Sequence, residues 1–471
     1  TLGAAFKRYE VHRASHSNVT VTDPLIGTYT DSGITRMTDS GLSIGSTYYY
    51  RVFVVDSNDT FSPSLERSTT TVPLALPVAD SMDAMDQWVA TGSWGVSTNG
   101  AHSGKGCLTD SPDGDYTHST DSYILTAINL NGTTWPVLRF WDRCRIGGGD
   151  WGRLEVSPDG NGWTSVYGVS ENQVSTNWVE QSVDLSPWRN QSNLRIRFHF
   201  WTDGANADDG WSIDDLSVAE QSPVTIAYPF QEGFEKGLAN WIHSGWSTDT
   251  NAPLVGSFAV HDTTATRIAP DTQLSLTLAG PLNLTNALNP QLTFWAKGHL
   301  NAYAYLRVQI STDGGLNWPE LGPGNIDPGF NADWTRYQVS LAAYTNQSIR
   351  LRFVTSCDWR APDEDIFLDK ITIEEMPVTV LLDIPVPHLR SVDLSWSATT
   401  LGAAFKRYEV HRATHSNVTV TDPLIGSFTS AGTTHMTDSG LSIGSTYYYR
   451  VFVVDSNDTI SPSLERSTTT V

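Results

Sequence analysis

The chain has 471 residues, among them 17 Trp, 17 Tyr and 16 Phe, and a formal net charge of −22. Its length predicts three or four domains, and its negative charge argues against nucleic acid, whose phosphates would be repelled. No apolar run reaches the length of a membrane-spanning helix, and three cysteines do not make a disulfide scaffold.

The first predicted strands lie in residues 1–72, where apolar and polar residues alternate as they do in a half-buried sheet. The same stretch returns as residues 400–471 at a constant offset of 399, with eight differences and no gap. The spacing therefore predicts a recent repeat of 399 residues. The strand alternation places His12 and its copy His411 on the solvent side of the sheet.

A second, more diverged duplication relates residues 78–222 to residues 226–376. The matching segments, first copy before second, are "PVLRFWDR" and "PQLTFWAK", "RLEVSPDGNGW" and "RVQISTDGGLNW", "NLRIRFHF" and "SIRLRFVT", and "WSIDDLSV" and "IFLDKITI". Each copy has about 140 residues with short strands at close intervals, which is typical of a two-sheet jelly roll. We therefore expect two tandem jelly-roll sandwiches.

This pair resembles the MAM-like or concanavalin-like jelly rolls found beside secreted bacterial peptidases of the immune-inhibitor type. The shared pieces are "GFEKGLANW" near the start, an S-x-D-G stretch before a Trp, and "IDDLSV" at the end. The first copy departs from this pattern with "DSMDAMDQW" at its start, which puts its site residues there in question. The resemblance implies an extracellular or cell-surface protein.

Acidic residues at predicted strand ends form the best candidate site. Asp214 and Asp369 stand just before the last apolar strand of each jelly roll, and the first and last strands of such folds often lie side by side. Calcium takes six to eight oxygen ligands, so the pattern predicts a calcium site; the alternative is that both Asp residues accept backbone hydrogens at a turn without an ion. The candidate ligands are Asp83, Asp208, Asp209, Asp214, Glu235 and Asp369.

The cysteines differ between the two copies. Cys107 and Cys144 occur in the first jelly roll, and Ala259 and Gly298 replace them in the second. Their joint presence and joint absence suggest a disulfide, and two buried free thiols remain an equally open alternative. Cys357 has no matching partner and is expected to be buried.

Eight Asn-x-Ser/Thr sequons are potential glycosylation sites. We expect some of them to carry glycans in a eukaryotic or archaeal host and none in most bacteria. They lie at Asn18, Asn58, Asn131, Asn190, Asn283, Asn346, Asn417 and Asn457.

The last region, residues 377–471, resembles a fibronectin type III domain. In "GLSIGSTYYYRV" Leu441 precedes Tyr447 by six residues, and Trp396 stands on an earlier strand. The resemblance implies an Ig-like sandwich with Trp396 in its core, in which the Tyr447 phenol bonds back to the upstream backbone.

The first copy, residues 1–72, lacks the counterparts of residues 380–397 and therefore the first two strands of such a domain. A sandwich without them exposes half of its core and a bare sheet edge. Two explanations remain. Either the sequence is a window on a longer tandem array, or strands from another molecule complete the domain.

Motif searches give no indication of catalysis. The sequence contains no "HExxH", "GxSxG" or "GxxxxGK[ST]". We therefore expect an all-β, non-catalytic, extracellular structural protein that assembles with further repeats of itself into a filament or cell-surface fibre. The alternative is a carbohydrate- or protein-binding accessory region of a large secreted hydrolase or adhesin, which exposed aromatic residues on a jelly-roll face would favour.

Overall fold

The computed structural model describes residues 5–471 except residues 40, 43, 223, 252, 263–267, 288, 301–303, 323, 329–332, 358–364, 377–379 and 457. The described residues form an all-β protein whose strands make sandwich-like pairs of sheets, as the alternation of apolar residues predicts. Its 3-10 helices in this part of the chain are single turns at Ser186–Trp188, Ala342–Tyr344 and Gly402–Ala404. No helix in the described residues is long and apolar enough to cross a membrane.

The strands of the first half are β1 (Phe6–Ala14), β2 (Leu25–Tyr29), β3 (Thr47–Asp56), β4 (Phe61–Pro63), β5 (Arg67–Thr70), β6 (Leu74–Ala75), β7 (Val78–Asp80), β8 (Val89–Ala90), β9 (Gly95–Ser97), β10 (Cys107–Thr109), β11 (Asp121–Asn129), β12 (Pro136–Arg145), β13 (Trp151–Ser157), β14 (Thr164–Val169), β15 (Val174–Asp184), β16 (Leu194–Trp201) and β17 (Gly210–Glu220). Those of the second half are β18 (Phe230–Glu232), β19 (Trp241–Ser244), β20 (Ser247–Asp249), β21 (Ala259–His261), β22 (Thr272–Leu278), β23 (Leu282–Asn283), β24 (Pro290–His299), β25 (Ala304–Ser311), β26 (Glu320–Leu321), β27 (Thr335–Ser340), β28 (Ser348–Cys357), β29 (Asp365–Glu375), β30 (Val386–Pro387), β31 (Ser391–Ser395), β32 (Phe405–Ala413), β33 (Leu424–Phe428), β34 (His435–Ser439), β35 (Thr446–Asp455), β36 (Ile460–Pro462) and β37 (Arg466–Thr469).

Strands β6–β17 form sandwich 1. One of its sheets has the order β15-β12-β17-β10-β9, with β7 also on β17; the other has the order β14-β13-β16-β11-β6, with β8 on β11. Phe140 of the first sheet meets Phe198 of the second edge to face, with 5.2 Å between ring centroids. The first and last strands of this first sheet in chain order are adjacent, because β7 pairs with β17.

Strands β18–β29 form sandwich 2 on the same plan. Its sheets have the orders β20-β21-β29-β24-β27, with β18 on β29, and β19-β22-β28-β25-β26, with β23 on β28. Phe294 and Phe353 make the equivalent edge-to-face contact at 5.1 Å. The duplicated sequence therefore corresponds to a duplicated strand order.

Strands β30–β37 form the C-terminal sandwich. The sheet β30-β31-β34 faces the sheet β33-β32-β35-β36, in which β37 also pairs with β35. Trp396 is buried in the core between the sheets. The Tyr447 phenol oxygen accepts a hydrogen bond from the backbone N–H of Ser442 at 3.1 Å, which is the contact that the sequence resemblance implies.

Strands β1–β5 form the N-terminal sheet, which repeats one sheet of the C-terminal sandwich residue for residue. Tyr9 pairs with Val54 as Tyr408 pairs with Val453, and the same bulge precedes both pairs. Over the described residues, no second sheet covers this copy.

His12 and His411 are buried, so their predicted solvent exposure is wrong. Only 2% of His12 and 3% of His411 is exposed. The turn after β1 folds back over this side of the sheet, where the Asp23 carbonyl lies 2.8 Å from Nδ1 of His12. Phe53 packs edge-on against the same ring. The alternation predicted the correct face of the strand, but not the loop that covers it.

Candidate functional site

The predicted acidic ligands of sandwich 1 bind a loop of the backbone. Asp214 lies on β17 in the gap between β7 and β10, and its Oδ2 accepts the N–H groups of His102 and Ser103 at 2.7 and 3.2 Å. Asp83 accepts the N–H groups of Lys105 and Gly106 through Oδ1. The two carboxylates thus hold one loop, residues 102–106, and together form the loop clamp of sandwich 1.

Sandwich 2 has the same loop clamp. Asp369 accepts the N–H groups of Leu254 and Val255 through Oδ2 at 2.8 and 3.0 Å. Glu235 accepts the N–H groups of Ser257 and Phe258 through Oε1. In both sandwiches, therefore, the last-strand Asp and an acidic residue from the start of the sandwich bind the same loop.

The donors at both loop clamps are N–H groups, which are hydrogen-bond partners and not ligands of a cation. Burial, the largest influence, raises the pKa of Asp214 and of Asp369 above the ordinary carboxyl range, against the lowering effect of the backbone hydrogen bonds. Within the described ranges, no group of three His, Cys, Asp or Glu residues is arranged to hold a metal. Calcium at these positions stays a prediction.

Asp208 and Asp209 lie apart from the loop clamp, before the start of β17. Asp208 accepts a hydrogen bond from Nε of Arg145 at 3.0 Å, and the Asp209 carbonyl accepts one from the Ser111 hydroxyl. The predicted set of acidic ligands is therefore divided between two places, since Asp208 and Asp209 precede β17 and Asp214 lies farther along that strand.

Two buried carboxylates absent from the predicted site occupy equivalent positions in the two sandwiches. Asp110 accepts the N–H of Trp211 at 2.7 Å, and Asp262 accepts the N–H of Ile366 at 3.1 Å. The second oxygen of each has no hydrogen-bond partner among the described residues. Burial raises the pKa of Asp110 to about 8 and that of Asp262 to about 6. The sequence contains one indication of this pair, since an Asp stands three residues after Cys107 in the first copy and three residues after the aligned Ala259 in the second.

The disulfide prediction is wrong: Cys107 and Cys144 are both buried free thiols. Their strands, β10 and β12, lie on opposite sides of β17, so at least about 9 Å of sheet separates them. Cys144 also belongs to the core between the sheets, whereas Leu108, the neighbour of Cys107, takes that place on β10. A disulfide needs Cα atoms closer than about 7 Å. Cys357 is buried, as expected.

The seven sequon asparagines that the structure describes are all exposed, which leaves them sterically open to a glycan. Asn457 lies outside the described residues. Glycosylation stays a prediction. The seven are Asn18, Asn58, Asn131, Asn190, Asn283, Asn346 and Asn417.

The outward face of one sheet of sandwich 1 carries a group of aromatic and charged side chains. Trp151 on β13 lies directly opposite Trp201 on β16, which in turn pairs with Asp121 on β11. The two indole rings are 5.7 Å apart between centroids and within 13° of parallel. Successive side chains of a strand point to opposite faces of the sheet. Leu154 and Phe200 point to the core from β13 and β16, so Trp151 and Trp201 point outward from the same two strands.

The next row of the same face runs across the same three strands. Arg153 pairs with His199 and His199 with Tyr123. The Arg153 guanidinium lies over the Trp151 ring at 4.0 Å from its centroid. We call the outward side chains of these two rows the aromatic face: Asp121, Tyr123, Trp151, Arg153, His199 and Trp201.

Hydrogen bonds to the next row of the same sheet side hold the aromatic face in place. His199 contacts Asp121 Oδ1 through Nε2 at 2.7 Å and Glu155 Oε2 through Nδ1 at 3.1 Å. Arg197 donates to the same Glu155 oxygen at 2.6 Å. Burial opposes the ionisation of Glu155, but the bonds from His199 and Arg197 outweigh it and hold the pKa of that carboxyl below its usual range.

The equivalent face of sandwich 2 is partly occupied by sandwich 1. Strands β14 and β15 pack against β22 and β19, and the hydroxyls of Ser165 and Thr272 lie 2.9 Å apart across this junction. Tyr305 and Arg307 repeat the contact between Trp151 and Arg153, with 3.9 Å from guanidinium to ring centroid. The tryptophan pair has no counterpart there, because Ser356 stands where sandwich 1 has Trp201.

No family model matches the chain. Bacillopeptidase F of Bacillus subtilis is 27% identical over 160 residues, which make up 32% of this chain and 11% of that protein. The chain therefore spans about a tenth of the length of this curated relative.

Among solved structures, the N-terminal CBM22-1-CBM22-2 tandem of Paenibacillus barcinonensis Xyn10C is 14% identical, with a TM-score of 0.23, over 64% of this chain and 97% of that one. The K1 cleaved adhesin domain of Lys-gingipain from Porphyromonas gingivalis is 15% identical, with a TM-score of 0.24, over 31% of this chain and 99% of that one. These similarities are too distant to transfer a ligand to this chain.

Proposed function

We propose that the aromatic face of sandwich 1 binds glycan chains, and that the chain is a non-catalytic, carbohydrate-binding part of a larger secreted or cell-surface protein. The observation that carries this proposal is the pair of nearly parallel indoles of Trp151 and Trp201 on an outward sheet face. Both indoles are half-buried, and a contiguous apolar patch on an outward face is a common mark of a binding site.

Sugar rings match the chemistry of this face. A pyranose ring presents axial C–H groups on its faces and hydroxyls around its edge. The face of an indole is electron-rich and attracts such C–H groups, while water leaves both apolar surfaces. Asp121 lies opposite Trp201 on the adjoining strand, and its exposed carboxylate supplies a hydrogen-bond acceptor for hydroxyls.

The face is organised before a ligand arrives. The side chains stand on paired strands, and the contacts of His199 with both Asp121 and Glu155 restrict its ring. Side chains that are already ordered lose little conformational entropy on binding, so more of the contact energy is available as affinity.

The charges around the face favour a neutral glycan. Arg197 is paired with Glu155, and Arg153 lies 3.5 Å from Asp271 of sandwich 2. Asp121 adds a further exposed carboxylate. Because the arginines are already matched, and the chain carries a net charge of −22, a polyanionic sugar would meet more repulsion than attraction.

The test is retention of the full chain on immobilised neutral and acidic polysaccharides. We expect saturable binding to at least one neutral glycan and weaker or no binding to uronic-acid polymers. Absence of binding across the whole panel would overturn the proposal, and preference for the acidic polymers would overturn its charge argument.

An extracellular filament is a second candidate function, supported by the near-identical copies at residues 1–72 and 400–471 and by the uncovered N-terminal sheet. In such an assembly further repeats of the same protein would follow one another along an axis. Electron microscopy of the purified chain tests it. Filaments with an axial repeat of one 399-residue unit would support it, and uniform single particles would contradict it.

A further inference from the structure

The two copies of the repeated sheet show what covers one of them. In the C-terminal sandwich, β31 pairs with β34, and Leu394 lies opposite Met436. Val392, Leu394 and Trp396 then cover the inner face of the sheet that contains β32 and β35. This second layer comes from residues 380–397 together with β34.

The presence or absence of this second layer changes the burial of identical side chains in the two copies. Tyr408 and Val451 have no exposed surface in the C-terminal sandwich, whereas their copies Tyr9 and Val52 are half-buried in the N-terminal sheet. A cleft of about 290 Å³ lies over these residues and is also lined by Met37. The same sheet thus has an apolar inner face without a covering layer.

Residues 36–39 are the segment that would pair with an added strand, and Asp39 makes the same side-chain contacts as its C-terminal copy. Asp39 accepts hydrogen bonds from Arg13 at 2.9 Å and from the Tyr50 hydroxyl at 2.8 Å. In the C-terminal sandwich Asp438 accepts the same two bonds, from Arg412 and Tyr449. There the segment forms β34 against β31, whereas residues 36–39 pair with no strand.

We infer that the N-terminal sheet is a binding site for a strand pair with the sequence of residues 380–397, supplied by a further copy of this repeat. The incoming counterpart of β31 pairs with residues 36–39, as Leu394 and Val392 pair with Met436 and Asp438. The counterpart of Trp396 fills the cleft over Tyr9, as Trp396 meets Tyr408 with 5.9 Å between ring centroids.

Two kinds of interaction drive this addition. Backbone hydrogen bonds along the added strand give affinity, and the alternate side chains that enter the cleft give specificity. Three residues that line the cleft, Tyr29, Ile34 and Arg36, differ from the C-terminal copy, where Phe428, Thr433 and His435 stand. The base of the cleft is unchanged, so the same apolar residues fit it.

The test uses the full chain of 471 residues and a fluorescent peptide of residues 380–399. We expect saturable binding by fluorescence anisotropy, and slower amide hydrogen exchange at residues 36–39 when the peptide is bound. Val52→Asp, which places a carboxylate in the cleft, should weaken binding by at least about tenfold. Leu25→Asp is the matched control: Leu25 is exposed on the other side of the sheet, with His12, and should change binding by less than about twofold.

Because the Val52→Asp chain could lose binding by misfolding, a variant of the peptide serves as a second test. The peptide carrying Leu394→Asp leaves the protein unaltered and should lose binding as well. Joining residues 380–399 covalently ahead of Thr1 is the positive control, and it should raise the melting temperature of the N-terminal sheet. The inference is overturned if the unaltered peptide does not saturate, or if the Leu394→Asp peptide binds as tightly as the unaltered one.

Discussion

Arg350 of sandwich 2 and Asp184 of sandwich 1 form an ion pair of 3.1 Å across the junction between the sandwiches, and each side chain is only 2% exposed. Arg350 also donates to the Leu278 carbonyl at 3.2 Å and to the Ser186 hydroxyl at 3.2 Å. A charge removed from water this completely needs its partner, because an uncompensated buried charge is costly. Loss of either partner would therefore leave an uncompensated charge buried at the junction.

We expect Arg350→Ala to destabilise the chain by about 3–5 kcal/mol, because it leaves Asp184 buried without its cation. The matched control is Arg195→Ala, which removes the equivalent arginine of sandwich 1 at a partly exposed position and should cost about 1 kcal/mol or less. Calorimetry of both variants measures this. Equal losses would contradict the role of the junction, whereas separate melting of the two sandwiches in Arg350→Ala alone would agree with it.

The loop clamps provide a test of the calcium prediction. Asp369→Ala removes the acceptor for the N–H groups of Leu254 and Val255, and should lower stability by about 1–3 kcal/mol with or without an ion. If calcium is also bound there, EDTA should lower the melting temperature of the unaltered chain and have no further effect on Asp369→Ala. Unchanged melting of the unaltered chain in EDTA would contradict calcium binding.

Local sequence pattern predicts much of the fold and part of the site. Strand alternation gives the all-β class and the inward position of Trp396. The expected adjacency of the first and last strands brings Asp214 near Asp83, and the hydrogen-bonding chemistry of Asp gives the alternative in which Asp214 accepts backbone N–H groups. These features depend on local pattern and on one adjacency, that of the first and last strands.

Relations between distant strands could not be predicted in the same way. The pattern of Cys107 and Cys144 suggests a disulfide, but β17 runs between their strands. The alternation of apolar and polar residues does not predict the order of strands in a sheet. The indole pair of Trp151 and Trp201 was missed for the same reason. Their opposition depends on the register of β13 against β16, which the sequence pattern leaves open.

The buried carboxylates predict a pH dependence. Burial raises the pKa of Asp262 to about 6, against an ordinary value of 3.8. The folded state then binds the proton more tightly than the unfolded chain does, so this contribution to stability is full below pH 3.8 and is lost as pH rises through 6. Asp262→Asn keeps the acceptor for Ile366 but cannot ionise. We expect it to gain about 3 kcal/mol relative to the unaltered chain between pH 4 and pH 7.

Asp110→Asn in sandwich 1 is the matched variant for that experiment. Burial raises the pKa of Asp110 to about 8, so its relative gain should continue to grow until the pH passes 8. Melting temperatures measured from pH 4 to pH 9 compare the two. A pH-independent difference between each variant and the unaltered chain would contradict the burial of an ionisable carboxyl at that position.

Glycan binding by the aromatic face is tested most directly by isothermal titration of the full chain and its Trp151→Ala and Trp201→Ala variants with a neutral glycan that the unaltered chain binds. Each substitution should weaken binding at least about tenfold, which corresponds to about 1.4 kcal/mol of lost ring contact. Tyr305→Ala, at the position equivalent to Trp151 in sandwich 2, should leave the affinity unchanged. Unaltered affinity in both Trp variants, with their melting temperatures preserved, would contradict the proposed function.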